Sequence, residues 1–131
     1  SKSYVNVIER AATPEETQAL VMTAVTDPAR RYRADPGHPE VCNVYRLHHF
    51  FNSERVEEIA LKCRTAVIGC VACKRLLAKG INRELAPLRE RRAAIAARAG
   101  YVEEVLADGA KRAQAIARET LREVKQRMGL V

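Results

Sequence analysis

Apolar residues along this chain recur at the spacing of helices rather than with the alternation typical of strands. Four of them stand at i, i+3, i+4 and i+7, which is the spacing of one helical face: Val56, Ile59, Ala60 and Cys63. A longer stripe lies between Gly69 and Gly100, and its members are Leu77, Ile81, Leu85, Leu88 and Ile95. The pattern predicts a short helix that ends near residue 63 and a long helix that begins at residue 70.

Capping signals predict where the first helix begins and ends. Thr13 can cap the helix, Pro14 suits its first position, and Glu16 completes a capping box. The helix should stop before Asp27, because a residue that precedes a proline avoids the helical conformation. We therefore expect an α-helix that begins at Pro14 and ends at about Val25.

The rest of the sequence predicts one loop and two further helices. Residues 27–40 hold three prolines and a glycine, so they should form a loop. A helix that contains Cys42 should begin at Pro39 and end near Phe50. A last helix should span residues 101–128, after the break at Gly100.

These elements together predict an all-α protein, a helical bundle. Residues 1–12 form a leading segment and residues 13–131 one helical domain, in which Pro87 should kink the long helix near its middle. The aromatic fraction is 5% and tryptophan is absent, so the core should be aliphatic and rich in alanine. At 131 residues the chain is long enough to bury such a core without covalent help.

The charge balance favours a polyanionic partner. Twenty-three Lys and Arg face 16 Asp and Glu, which gives a formal net charge of +7 and points first to nucleic acid. A solvated basic face on a soluble protein explains the same balance. No run of eighteen apolar residues predicts a membrane span, and no apolar secretory signal precedes the first helix. We expect no membrane partner and a cytoplasmic, reducing compartment.

Three of the four cysteines lie close together in the sequence, at the spacing C-x6-C-x2-C. They are Cys63, Cys70 and Cys73, and twenty residues separate the fourth, Cys42, from Cys63. Cys70 and Cys73 should share a face at a helix start, where the helix dipole favours thiolate. Four converging thiolates suit Zn²⁺ or an iron–sulfur cluster. The alternative is four ordinary buried cysteines.

Four cationic residues flank the cysteines: Lys62, Arg64, Lys74 and Arg75. A cluster held by four thiolates is anionic, so these side chains could serve to compensate its charge. Those that face outward could instead contact the phosphates of a nucleic acid. We take Arg64, Lys74 and Arg75 as candidate nucleic-acid-binding residues.

Two other features carry less weight. Adjacent histidines, here His48 and His49, point to different faces of a helix, so they are better explained as packing or surface residues than as joint ligands. The sequence contains no evident nucleophile–base pair and no glycine-rich phosphate loop. Nothing in it predicts catalysis by this chain alone.

Five short segments form a pattern that extends over nearly the whole chain. They are SKSY at 1–4, AVTDP at 24–28, DPGHPEVC at 35–42, CR-x4-GC-x2-CK at 63–74 and LAPLRERR at 85–92. Together they resemble the bacterial tryptophanyl-tRNA synthetases, which are class I aminoacyl-tRNA synthetases. The first segment is similar to the end of the family's KMSKS signature loop. The cysteine pattern is similar to that of the members with a [4Fe–4S] cluster.

The resemblance implies a function and a set of ligands. The full enzyme would activate tryptophan with ATP and charge tRNA-Trp, and Lys2 and Ser3 would belong to the loop that binds ATP. The helical domain would bind the anticodon, with the cysteine loop close to it. The resemblance also favours a [4Fe–4S] cluster over zinc on the four cysteines.

The sequence begins inside the signature loop. The resemblance therefore implies a carboxy-terminal fragment that lacks the Rossmann catalytic domain and is inactive alone, taken from an enzyme that is a homodimer. The alternative is an iron–sulfur or zinc nucleic-acid-binding helical module unrelated to aminoacylation. Helical DNA glycosylases share C-x6-C-x2-C, but their fourth cysteine lies downstream. A third possibility is an interaction bundle whose cysteines are incidental.

Overall fold

Five α-helices account for most of residues 7–130, the part of the chain that this computed structural model describes. They are α1 (Pro14–Thr23), α2 (Asn43–Phe51), α3 (Val56–Arg64), α4 (Cys70–Ala96) and α5 (Tyr101–Arg127). Short 3-10 turns at Pro39–Val41 and Ser53–Arg55 precede α2 and α3. Residues 7–130 contain no strand, so the all-α prediction is confirmed.

The chain divides into two compact units, Ser1–Arg89 and Glu90–Val131. The first unit holds the buried core, which consists of aliphatic side chains with two cysteines: Val21, Cys42, Val44, Ile59, Cys73, Leu77, Ala78 and Ile81. The second unit contains α5, none of whose residues is buried. The boundary predicted at residue 13 stays a prediction. In the described part of the chain, no helix is both long and apolar enough to cross a bilayer.

Helix α1 begins where its capping signal predicts. The Thr13 hydroxyl accepts a hydrogen bond from the Glu16 amide at 3.2 Å, and the Glu16 carboxylate accepts one from the Thr13 amide at 2.8 Å. Two of the backbone N–H groups that a helix start leaves without partners are thereby satisfied.

Removal of this cap gives a first test of the fold. We expect Thr13→Ala to lower the free energy of unfolding by about 1 kcal/mol, because the Glu16 amide loses its acceptor. Urea denaturation followed by circular dichroism measures the change. Thr120→Ala in the middle of α5 is the control, since an exposed threonine there should change stability by less than about 0.5 kcal/mol. Equal effects of the two substitutions would contradict the role of the cap.

Side chains of α4 hold α1 in place. Arg89 donates to the Thr17 hydroxyl and to the Asn82 amide oxygen, both at 2.9 Å. Lys74 donates to the Met22 carbonyl at 2.8 Å, close to the end of α1. Because a cation at a helix C-terminus also interacts favourably with the helix dipole, Lys74 stabilises this packing twice over.

The structure corrects the prediction that Cys42 lies within a helix. A 3-10 turn forms at Pro39–Val41, and Cys42 follows it in an extended conformation with φ −92° and ψ 115°. Its carbonyl accepts the first hydrogen bond of α2, from the Arg46 amide at 3.1 Å. Cys42 is therefore the N-cap residue of α2, and its backbone turns at this point rather than continuing a helix.

The apolar stripe of α4 is buried over only part of its predicted length. Leu77 and Ile81 are buried and Leu85 packs against the core, but Leu88 and Ile95 are exposed. The helix itself continues through Pro87 to Ala96. Apolar periodicity thus predicted the helix correctly and overstated how much of it the core covers.

Candidate functional site

All four cysteines line one small cavity in the first unit, although three different segments carry them. Cys42 precedes α2, Cys63 lies at the end of α3, and Cys70 and Cys73 form the first turn of α4. The cavity has about 20 Å³ of space for a water-sized occupant, and none of the four cysteines is in a disulfide. The structure thus brings together the four residues that the sequence pattern singled out.

The sulfur atoms are not arranged around a single-ion site. Among residues 7–130, no group of three or more His, Cys, Asp or Glu side chains could hold a metal ion. A tetrahedral zinc site needs four ligand atoms within about 2.0–2.3 Å of one point. The metal assignment of Cys42, Cys63, Cys70 and Cys73 therefore stays a prediction.

Gly37 allows the loop before α2 to lie directly against Cys63. Its amide donates to the Cys63 carbonyl at 3.0 Å, and a Cβ at this position would stand 2.5 Å from the Cys63 sulfur. No side chain larger than hydrogen fits in that gap without displacing the sulfur. The glycine of the DPGHPEVC segment is thus a packing requirement of the cysteine cavity.

The loop between α3 and α4 returns the chain to the cavity by a left-handed turn. Ala66 has φ 56°, a conformation that favours glycine. Two backbone hydrogen bonds hold the turn: Ala66 N–H to the Cys63 carbonyl at 3.1 Å and Ile68 N–H to the Lys62 carbonyl at 3.0 Å. They bring Cys70 back beside Cys63 after six intervening residues.

His48 is a buried neighbour of the cysteines. Its Nε2 lies 3.3 Å from the Cys73 sulfur, and its Nδ1 lies 2.9 Å from the Asn52 side-chain nitrogen. The Asn52 amide nitrogen can only donate, so Nδ1 accepts and Nε2 carries the proton that points to sulfur. Burial lowers the pKa of His48, which keeps the ring neutral. The sequence interpretation of His48 as a packing residue missed this contact.

Burial also changes the acidity of two cysteines. Burial, with a smaller contribution from the other three thiols, raises the pKa of Cys73 to about 12. Burial raises the pKa of Cys63 as well, although the Arg30 guanidinium, 3.9 Å from its sulfur, opposes the shift. In the metal-free protein, Cys73 is therefore a neutral thiol at pH 7.

Asp27 closes the base of the loop that joins α1 to the turn before α2. Its buried carboxylate accepts hydrogen bonds from the Ala29 amide and from both the amide and the ring of His38, all at 2.9 Å. The side-chain hydrogen bond with His38 is the main reason why the pKa of Asp27 is lowered. We call residues 27–38 the arginine loop, because Arg30, Arg31 and Arg33 lie in it.

An open cleft of about 470 Å³ lies between the arginine loop and the start of α4. We call it the arginine cleft. Its lining residues are Thr26, Arg30, Arg31, Tyr32, Arg33, Val67, Ile68, Gly69, Cys70, Val71, Ala72 and Arg75. Cys70 also lines the cysteine cavity, so the two sites share a wall.

The three predicted nucleic-acid-binding residues have different surroundings. Arg75 lines the arginine cleft. Arg64 pairs with the Glu40 carboxylate on the surface, and Lys74 is half-buried with its ammonium on the Met22 carbonyl. The nucleic-acid-binding residues predicted from the sequence did not include Tyr32 or Arg33, which the cleft adds to Arg75. The cluster of cationic and aromatic residues at 30–33 was the signal that could have found them.

Comparison with known proteins places these features in a family context. No family model matches the chain. The tryptophan–tRNA ligase of Thermotoga maritima is 40% identical over 133 residues, which cover 100% of this chain and 40% of the ligase. That of Aquifex aeolicus is 39% identical over 132 residues, or 99% of this chain and 33% of the ligase. Over its whole length this chain is therefore similar to part of the bacterial tryptophan–tRNA ligases.

The solved structures agree on the fold. A crystal structure of tryptophanyl-tRNA synthetase from Campylobacter jejuni, complexed with ADP and tryptophan, matches 99% of this chain with a TM-score of 0.85 and 24% identity. The match covers 40% of that synthetase chain. The chain thus spans about a third to two fifths of the length of the relatives it matches.

Homology with the tryptophan–tRNA ligases confirms the resemblance predicted from the sequence segments. It does not test which relatives carry an iron–sulfur cluster. Lys2 and Ser3, which the resemblance assigns to ATP binding, lie outside the described residues. Their role stays a prediction, as do the site assignments of the cysteines and cations.

Proposed function

We propose that this chain is the tRNA-binding helical part of a tryptophan–tRNA ligase. The observation that carries the proposal is 39–40% identity to such ligases over 99–100% of the chain. The whole enzyme would activate tryptophan with ATP and transfer it to tRNA-Trp in the cytoplasm, as a homodimer. Lys2 and Ser3 would belong to its ATP-binding loop.

The charge of the first unit supports an RNA partner. Four arginines line the arginine cleft and no Asp or Glu does, and the whole chain carries a net charge of +7. Such a surface neutralises phosphates and releases counterions on binding. The helical unit would hold the anticodon arm, while the adenylation chemistry would take place elsewhere in the enzyme.

Binding selectivity tests this function. We expect the chain to shift tRNA-Trp in a gel at lower protein concentration than an unrelated tRNA or duplex DNA. Equal binding to all three would favour the alternative, a nucleic-acid-binding module unrelated to aminoacylation. Binding to none of them would leave a protein-interaction bundle and remove both proposals.

A structural [4Fe–4S] cluster on the four cysteines forms part of the same proposal. Cys42, Cys63, Cys70 and Cys73 line one cavity, and the lack of a side chain at Gly37 allows the loop before α2 to pack against the Cys63 sulfur. Each thiolate of such a cluster binds a different iron atom, so the sulfurs stand farther apart than around a single ion. What favours iron over zinc is the cysteine spacing, which is similar to that of the family members with a [4Fe–4S] cluster.

The cluster would contribute fold stability rather than chemistry. It would join the start of α2, the end of α3 and the start of α4 at one point beside the arginine cleft. Elemental analysis of protein prepared without oxygen separates the two metals. About four irons per chain with acid-labile sulfide supports the cluster, whereas one zinc per chain in a colourless sample excludes it.

The salt dependence of RNA binding tests two of the predicted contacts. We expect Arg75→Ala to weaken binding of tRNA-Trp and to reduce the slope of log Kd against log salt by about 1, because one phosphate contact is lost. Arg64→Ala should have a smaller effect, since Glu40 already pairs with Arg64. Fluorescence titrations at several salt concentrations measure both slopes. An unchanged slope for Arg75→Ala would assign that residue to charge compensation.

A further inference from the structure

Tyr32 is an aromatic residue of the arginine cleft whose side chain is exposed to solvent. It is 75% exposed and lines the cleft together with Arg33 and Arg75. Aromatic rings in such positions offer a flat face on which an unpaired base can stack. A large apolar surface kept exposed on a basic loop is not explained by the packing of the core.

The backbone that carries Tyr32 is fixed before any partner arrives. The Asp35 carboxylate accepts hydrogen bonds from the Tyr32 amide at 2.8 Å and from the Arg31 amide at 3.1 Å, and the Asp35 amide donates to the Tyr32 carbonyl at 3.2 Å. Arg30 donates to the Arg33 carbonyl at 2.9 Å. A ligand of this loop therefore meets a preorganised surface and loses little conformational entropy of the loop.

The arginines around Tyr32 differ in whether their guanidinium groups already have partners within the protein. Arg30 is engaged by the Arg33 carbonyl and approaches the Cys63 sulfur. In the part of the chain that the structure describes, Arg31, Arg33 and Arg75 have no carboxylate partner within 4.0 Å. Their guanidinium groups can therefore bind phosphate without first giving up an ion pair.

We propose that the arginine cleft binds one unpaired nucleotide of an RNA loop, with its base stacked on Tyr32 and its flanking phosphates on Arg33 and Arg75. The inference rests on the proposed function and adds a specific subsite to it. The cleft volume of about 470 Å³ is within the range of small-molecule sites, roughly 300–1,000 Å³. It accommodates a single base with its phosphates.

A single-stranded loop fits this site better than a duplex. Bases in a duplex are stacked on one another and offer no free face, whereas bases in a loop can be splayed out onto an aromatic ring. Arginines alone would bind the backbones of both. Tyr32 should therefore supply the preference for the loop, and the arginines should supply affinity for either form.

The test compares two RNA probes on the complete 131-residue chain. One probe is the anticodon stem-loop of tRNA-Trp, and the other is a continuous duplex with the same stem. Tyr32→Ala should weaken stem-loop binding about tenfold or more, which corresponds to the loss of one stacked base, and should leave duplex binding unchanged. Tyr32→Phe should retain wild-type affinity, because the ring face is kept.

Matched variants exclude a general loss of folding or surface hydrophobicity. Phe50 is 78% exposed and does not line the cleft, so Phe50→Ala should leave both affinities unchanged. Arg33→Gln should weaken binding of both probes, while Arg112→Gln, which removes the same charge from a residue paired with Asp108, should not. Circular dichroism of each variant checks that the helices are intact.

The outcomes separate this inference from the proposed function. If Tyr32→Ala binds the stem-loop as the wild type does, while Arg33→Gln does not, the cleft binds phosphate only and the base subsite is overturned. If the wild-type chain binds the stem-loop no better than the duplex, stacking in the cleft is likewise excluded. Failure of the wild type to bind either probe would overturn the proposed function together with the subsite.

Discussion

Cys70→Ser is expected to abolish cluster incorporation and to lower the free energy of unfolding of the metal-loaded protein by about 3–4 kcal/mol. A group that binds only the folded state stabilises it by that amount when present at 100 to 1,000 times its dissociation constant. Cys70 is the most informative of the four positions. It lies at the first residue of α4 and, unlike Cys73, has no hydrogen bond to His48 that the substitution would also remove.

Iron analysis and thermal melting of anaerobically prepared protein measure the two effects. Metal-free wild type is the matched control, because Cys70 is only half-buried and serine replaces it with little change in packing. Wild type and variant should therefore melt at nearly the same temperature without metal and at different temperatures with it. A variant that keeps both its iron and its melting temperature would show that Cys70 is not a ligand.

Gly80→Ala is expected to destabilise the first unit by about 1–3 kcal/mol, although alanine is the better helix former. A Cβ at Gly80 would stand 2.6 Å from the backbone oxygen of Phe51 and 2.7 Å from the side-chain atoms of Asn52. The end of α2 would have to move away from α4, since a backbone oxygen cannot rotate aside. Displacement of Asn52 would also disturb the hydrogen bond that orients His48 toward Cys73.

Gly109→Ala provides a control of opposite sign. Gly109 lies in α5, and a Cβ there would meet nothing within 4 Å. Helix propensity alone then acts, so the substitution should stabilise α5 by up to about 1 kcal/mol. Urea denaturation measures the effect of Gly80→Ala, and the helical circular dichroism signal measures the effect of Gly109→Ala. If both glycines could be replaced without loss of stability, the close approach of α2 to α4 would be wrong.

Local signals in the sequence predicted the helices well, because their causes lie within a few residues. The Thr13–Glu16 capping box fixed the start of α1, and the spacing from Val56 to Cys63 identified the buried face of α3. The position of Cys42 could not be predicted in this way. The 3-10 turn at Pro39 follows a loop that Gly37 packs against Cys63, a contact between residues far apart in the sequence.

The same distinction between local and long-range causes applies to the residues of the candidate site. Cysteine spacing was enough to single out the four residues that line the cavity. His48 and Tyr32 needed the structure, because a fold-dependent contact gives each its significance. His48 meets Cys73 from another helix, and Tyr32 lies beside Arg75 only because the arginine loop folds over the start of α4. Lys74 and Arg75 are adjacent in sequence, yet one holds α1 and the other lines the cleft.

Helix α5 is stabilised by different interactions from those of the core, so it should unfold differently on heating. None of its residues is buried, so it gains little from the hydrophobic effect and depends on local terms such as the Asp108–Arg112 pair at 3.0 Å. A helix held by local terms frays from its ends and loses helicity gradually on heating. Circular dichroism of this chain should therefore show a sloping baseline from α5 beneath the sharper, cooperative transition of the first unit.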